Sequence, residues 1–151
     1  MNINKFTQNS LQAVQGCEKL AYDYGNQEIA QGHLLYALVT QNDSLILKLL
    51  EKMGYQGTLV VNRVEEMLKK RPKVQGGQVY VGQDLNNVLI HADDEAKQMG
   101  DEYVSVEHLF LALLKYASRE MKAFFQEMGI SREGLLQALS SVRGNQRVTS
   151  D

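Results

Sequence analysis

Gly25-Asn26-Gln27-Glu28-Ile29-Ala30-Gln31-Gly32-His33-Leu34 returns 75 positions later as Gly100-Asp101-Glu102-Tyr103-Val104-Ser105-Val106-Glu107-His108-Leu109. Both stretches keep a glycine, then an aliphatic residue, then a His-Leu pair at the same spacing. Extending the shift outward lays residues 6–64 over 81–139 without a gap. Ala37 and Leu38 fall on Ala112 and Leu113, and Met53-Gly54 falls on Met128-Gly129. Where residues change, their character persists, as with Leu49-Leu50 over Phe124-Phe125. A tandem this regular indicates a duplicated helical unit whose two half-cores pack on each other. A chain of 151 residues carrying both copies is long enough to bury a sizeable core as one domain.

Each copy reads as four helices. Phe6, Val14, Cys17, Ala21 and Tyr24 recur at helical spacing behind Thr7, a good cap, and Gly25 closes the helix in a left-handed turn. Leu34–Val39 is apolar nearly all round, as a buried central helix would be. A third helix runs from about Ser44 to Gly54, and a fourth carries Val60, Val64 and Leu68 until Arg71-Pro72 breaks it. Residues 73–82, with Gly76-Gly77 and the alternation Val79-Tyr80-Val81, read as the one internal linker. In the second copy Asp84 is expected to cap the fifth helix and Ser105 the central one, Leu109–Ala117. Met121–Met128 forms the seventh, and Ser131 caps the eighth, which carries Leu135, Leu139 and Val142. The expectation is an all-α fold of eight helices in two pseudo-symmetric four-helix halves. The domain is expected over 1–143, with repeat one about 4–71 and repeat two about 81–143. Residues 144–151 read as the start of a linker to something further along.

Composition narrows the function classes. Sixteen basic and eighteen acidic residues leave a net charge of −2, so no global field draws the chain to nucleic acid or to anionic lipid. The longest clean apolar run, Leu109–Leu114, is far too short to cross a bilayer. Met1–Lys5 leads straight into a helix pattern with no apolar targeting stretch, and Cys17 is the only cysteine; a cytoplasmic location is expected.

Assembled chemistry is scarce. Gly76-Gly77 lacks the lysine and hydroxyl of a phosphate-binding loop, and no two histidines have zinc-ligand spacing. Cys17 sits on an apolar stripe and reads as core. His33 and His108 occupy the same place in their repeats, which favours a fold requirement over a single active site. His91 stands alone on a polar face.

The copies differ most in charge. From Asp84 to Glu107 lie Asp84, Asp93, Asp94, Glu95, Asp101, Glu102 and Glu107 against Lys97 alone. The matching stretch, Asn9–Gly32, holds Glu18, Asp23 and Glu28 against Lys19. Helix-start acids are favoured by the dipole, but Asp101-Glu102 follows a helix end, where negative charge is disfavoured. That asymmetry suits a site for cationic or amide-rich partners.

The duplicated Gly-x-x-x-(Ile/Val)-x-x-x-His-Leu-(Leu/Phe) pattern resembles the amino-terminal domain of Clp-type AAA+ unfoldases. Asp101–Leu109 and the exit Arg143–Ser150 are most similar to the ClpB disaggregase branch. The resemblance spans essentially the whole chain. It implies a substrate-engaging domain without catalytic residues, which holds unfolded or aggregated polypeptide for a hexameric ring working with a DnaK-type chaperone system. ATP and magnesium are implied only in AAA+ modules beyond this chain, and neither nucleic acid nor membrane is an implied partner. Carried over residue by residue, the substrate contacts fall on Thr7, Asp101 and Glu107. An apolar groove beside the acidic residues is also implied, although the exposed side of the fifth helix carries His91, Asp94 and Glu95. The alternatives are an adaptor-docking domain of ClpC or ClpA type, and a mobile spacer above the ring.

Overall fold

Periodicity and stop signals produce eight α-helices in the computed structural model, which describes residues 2–144. They are α1 Gln8–Asp23, α2 Gln31–Thr40, α3 Leu45–Lys52, α4 Gly57–Lys69, α5 Gln83–Gln98, α6 Val106–Lys115, α7 Arg119–Met128 and α8 Arg132–Arg143. A 3-10 turn covers Ile3–Lys5, and two short strands, β1 Glu28–Ile29 and β2 Tyr80–Val81, complete the elements. The last helix ends at Arg143, and the linker read over 144–151 lies, after Gly144, outside the described residues.

Side-chain caps do much of the delimiting. The hydroxyls of Thr7, Ser44, Ser118 and Ser131 each accept an N–H from the first turn of α1, α3, α7 and α8. Gly25, Gly100 and Gly129 turn the chain with φ near +70°, a region that costs other residues steric strain. One cap differs from expectation. The N-cap of α5 is Gly82, and Asp84 lies inside its first turn, where a carboxylate is favoured by the dipole without capping.

The central helices α2 and α6 are the core. Leu34, Leu38 and the run Leu109–Leu113 have no exposed surface, each side chain contributing about 2 kcal/mol of apolar burial. The remaining helices lay one apolar stripe each against this pair. Phe110 meets Phe125 edge-to-face at 6.0 Å between ring centroids.

The halves are not merely stacked; their leading segments are exchanged. Phe6 of the first half bridges Val104 of the second, in parallel, and Val81 of the second pairs with Ile29 of the first. The 75-residue shift converts one pair into the other. The flanking bonds repeat too: Thr7 N–H donates to Val104 C=O and Gly82 N–H donates to Ile29 C=O, each at 2.9 Å. Residues 73–82 are therefore more than a linker. Two-residue strands fall below what alternation can reveal, and their partners lie far off in sequence.

His33 and His108 explain their own repetition. Each sits three residues inside its helix and turns back so that Nδ1 accepts the N-cap N–H, from Ala30 and Ser105 respectively, at 2.9 Å. They fill the role of the Glu or Gln of a capping box. Because Nδ1 accepts, Nε2 carries the proton. It donates to Asn26 Oδ1 at 2.9 Å in one half and to Asp101 Oδ2 at 2.6 Å in the other. Burial, helped by the nearby Arg71 charge, pushes His33 down from 6.5 to about 4.

Two outcomes follow. The unfolded chain protonates His33 below its ordinary pKa of 6.5 while the folded chain resists until about 4. Stability is thus complete above 6.5 and drains away as pH falls toward 4. Urea midpoints should drop between about pH 7 and about pH 4.5, and His33→Gln, suited to the same capping place, should flatten that drop. Cys17 is buried, with its thiol pushed up to about 12. It should ignore a thiol reagent at about pH 8 until the chain is unfolded, which a timed labelling assay reads directly.

Candidate functional site

Strand exchange delivers Thr7 of the first half to the start of α6 in the second. Thr7 caps α1, and its hydroxyl donates to Ser10 Oγ at 3.0 Å while accepting Ser10 N–H at 3.2 Å. Ser10 Oγ in turn donates to Val104 C=O at 2.7 Å, locking α1 to the second half. Glu107 lies in the first turn of α6, and Ser105 Oγ donates to its carboxylate. Thr7 and Glu107 line one surface hollow of about 420 Å³, together with Gln8, Asn9, Leu45, Ser105 and Val106. Its chemistry is hydroxyl, amide and carboxylate over an aliphatic edge, which suits a cationic or hydrogen-bonding guest.

Asp101, the third candidate, does not line that hollow. It is buried, as are Thr7 and Glu107. Arg143, at the end of α8, grips both carboxylate oxygens at 2.8 and 2.5 Å, and His108 Nε2 donates to one of them at 2.6 Å. The cost of a negative charge after a helix end is met by this guanidinium. Burial is the dominant influence on His108 and lowers its pKa despite the neighbouring carboxylates, so the ring stays neutral beside Asp101. Arg143 is raised, chiefly by its bond to Asp101.

Three further carboxylates of the stretch are likewise paired. Glu95, expected on the exposed side of α5, is buried and bonded to Arg132 at 2.5 Å. Asp93 meets Lys97 at 3.3 Å, and Asp94 meets His91, whose ring stacks on Tyr116. The broad acidic face thus resolves largely into ion pairs.

The pseudo-equivalent of the Thr7 hollow is closed. Under the shift, Thr7 falls on Gly82 and Glu107 on Gly32. A Cβ at Gly82 would lie 2.6 Å from Glu28 Oε2, and one at Gly32 would lie 3.1 Å from both Leu68 and Met67. Arg71 fills the space, bonded to Glu28 and to Glu120 at 2.7 Å each, and leaves only about 170 Å³. Gln31 clamps the same region, donating to the carbonyls of Asp84 and Tyr116 and accepting Ser118 N–H, all at 2.8 Å. Reading Thr7 and Glu107 against their glycine counterparts was the signal that could have separated the open site from the sealed one.

Sequence reasoning also missed a hollow of about 380 Å³ between α4 and α7. Met67, Ala123, Phe124 and Met128 form its apolar part, and an Arg63–Glu127 bond of 2.6 Å crosses its rim. Its methionines had read as ordinary core. Among the described residues no group of three or more potential ligands could hold a metal ion, and no helix is long and apolar enough to cross a membrane.

Comparison with known proteins fits this architecture. The Clp repeat (R) N-terminal domain family matches residues 5–128. A chaperone protein ClpB of Nitratidesulfovibrio vulgaris is 44% identical over 99% of this chain, which covers 18% of that relative. The chain thus spans less than a fifth of the curated relatives it matches. The crystal structure of the Hsp104 N-terminal domain from Candida albicans superposes with a TM-score of 0.83 at 26% identity, covering 97% of this chain and 96% of that one. A complex of the ClpV N-domain with a VipB peptide shares the fold, with a TM-score of 0.72 at 20% identity over 97% and 92% of the two chains. The chain therefore belongs to the Clp repeat (R) N-terminal domain family and is similar to the N-terminal domains of ClpB/Hsp104-type chaperones.

Proposed function

We propose that this domain holds unfolded or aggregated polypeptide, with the hollow between Thr7 and Glu107 as its grip. The supporting observation is the contrast between two pseudo-equivalent places. One is filled by Arg71 beside Gly82, while the other is lined by Thr7 and Glu107, both largely buried, around a space of about 420 Å³. A fold that needed only filling could have used the first solution twice. Clients engage through amide groups and cationic side chains, consistent with the donors and acceptors that line the hollow. Asp101 belongs to the same site from beneath.

Each contact is weak by design. Six copies on a hexameric ring multiply a modest single-site affinity without any new contact. In that setting a DnaK-type system delivers aggregated chains, ATP and magnesium act in the AAA+ modules beyond this chain, and the whole works in the cytoplasm.

A second reading has its own observation. The hollow between α4 and α7 offers two methionines and a phenylalanine, a soft apolar floor suited to a defined peptide or adaptor. The ClpV N-domain is described in complex with a VipB peptide. Fluorescence anisotropy with reduced, carboxamidomethylated lysozyme separates the two. Glu107→Gln removes a charge without changing shape and should weaken binding by about fivefold, or roughly 1 kcal/mol. Ala123→Glu, on the exposed surface beside Phe124, should leave it unchanged. The reverse pattern would move client binding to the α4–α7 hollow.

A further inference from the structure

The first half of the molecule is an internal control for the Asp101–Arg143 ion pair. There the residue matching Asp101 is Asn26, and the residue matching Arg143 is Leu68. Asn26 accepts from His33 at 2.9 Å and donates to Pro72 C=O at 3.2 Å, and the capping histidine is held as well as its counterpart. Leu68 is fully buried. A neutral amide and a leucine therefore meet the structural requirement. The second half instead buries a carboxylate against a partly exposed guanidinium, and the desolvation of that carboxylate must be recovered in a pairing that often stabilises no more than an apolar substitute would.

That charged pair occurs only under the half that keeps the open hollow. From it a continuous chain of polar contacts runs outward. Arg143 grips Asp101, and Asp101 accepts from His108. His108 accepts Ser105 N–H through Nδ1, which also lies 3.0 Å from Ser105 Oγ, and Ser105 Oγ donates to Glu107. Arg143 is the last residue of α8, where the domain gives way to Gly144 and the segment beyond.

We propose that Arg143 and Asp101 are positioning residues for Glu107. They hold its carboxylate toward the client through His108 and Ser105, and tie the point where the chain leaves the domain to the strength of the grip. Asp101 on this account touches no client. Two anchors at one end of a row that passes from His108 through the Ser105 backbone N–H, and from the Ser105 hydroxyl to Glu107, limit the rotamers open to the other end, and a coupling of this kind spans sites without a large change of shape. A pull that loosened Arg143 would loosen the hold on the client. The inference rests on the client-holding reading above.

The test transplants the first half's solution. Asp101→Asn combined with Arg143→Leu reproduces the Asn26 and Leu68 arrangement, and its melting temperature should stay within a few degrees of the parent. Its affinity for reduced, carboxamidomethylated lysozyme should fall about fivefold, beside Glu107→Gln measured in the same assay. Unchanged affinity in the double variant, with Glu107→Gln weakened, overturns the positioning role and leaves the client-holding reading intact. Unchanged affinity in Glu107→Gln overturns that reading, and the positioning role with it. If the double variant melts too low to assay, Arg143→Lys supplies the answer: it keeps the charge but loses the two-pronged grip, and should bind less tightly than the parent at near-parent stability. Parent-like binding there overturns the positioning role.

Discussion

One backbone pairing organises this molecule: the parallel bridge in which Phe6 of the first half lies against Val104 of the second, sealed by the bond from Thr7 N–H to Val104 C=O. Its pseudo-equivalent, Val81 against Ile29, closes the other side. The two bridges forbid a description as separate four-helix units, since each half starts inside its neighbour. They also set the start of α1 beside the start of α6, without which Thr7 and Glu107 would not share a hollow. The candidate site is composite because the fold is exchanged.

Duplication then allows the molecule to be compared with itself. Both halves need a histidine to cap the central helix and a side chain to receive its Nε2 proton, and both have them. Those features belong to the fold. The differences are the Arg71 seal with its two glycines on one side, and on the other the Thr7–Glu107 hollow with an ion pair beneath it. Selection on shape alone would have had no reason to separate them. Function is better sought in the departures from symmetry than in the shared pattern.

Much of this was legible in the residues. Eight helices, their caps at Thr7 and Ser131, and the fully apolar Leu109–Leu113 follow from periodicity and local chemistry. The exchanged bridges were not, because a pairing of one or two residues leaves no period to detect and depends on partners far apart in the chain, Phe6 with Val104 and Ile29 with Val81. Charge was misleading for a related reason. Asp101 and Glu95 look like surface carboxylates until the two ends of α8 bring Arg143 and Arg132 over them. Partners that meet only in the folded chain cannot be read from a local count of acids.

The central claim is that the composite hollow, and not its sealed counterpart or the α4–α7 hollow, takes the client. Amide chemical shifts of the isotope-labelled chain, followed as an unfolded protein such as reduced, carboxamidomethylated lysozyme is added, test it most directly. The account predicts shifts gathered at Thr7, Gln8, Asn9, Leu45 and Ser105–Glu107, with Gly32 and Gly82 unmoved. Shifts centred on Met67, Phe124 and Met128, or none at about millimolar client, would contradict it.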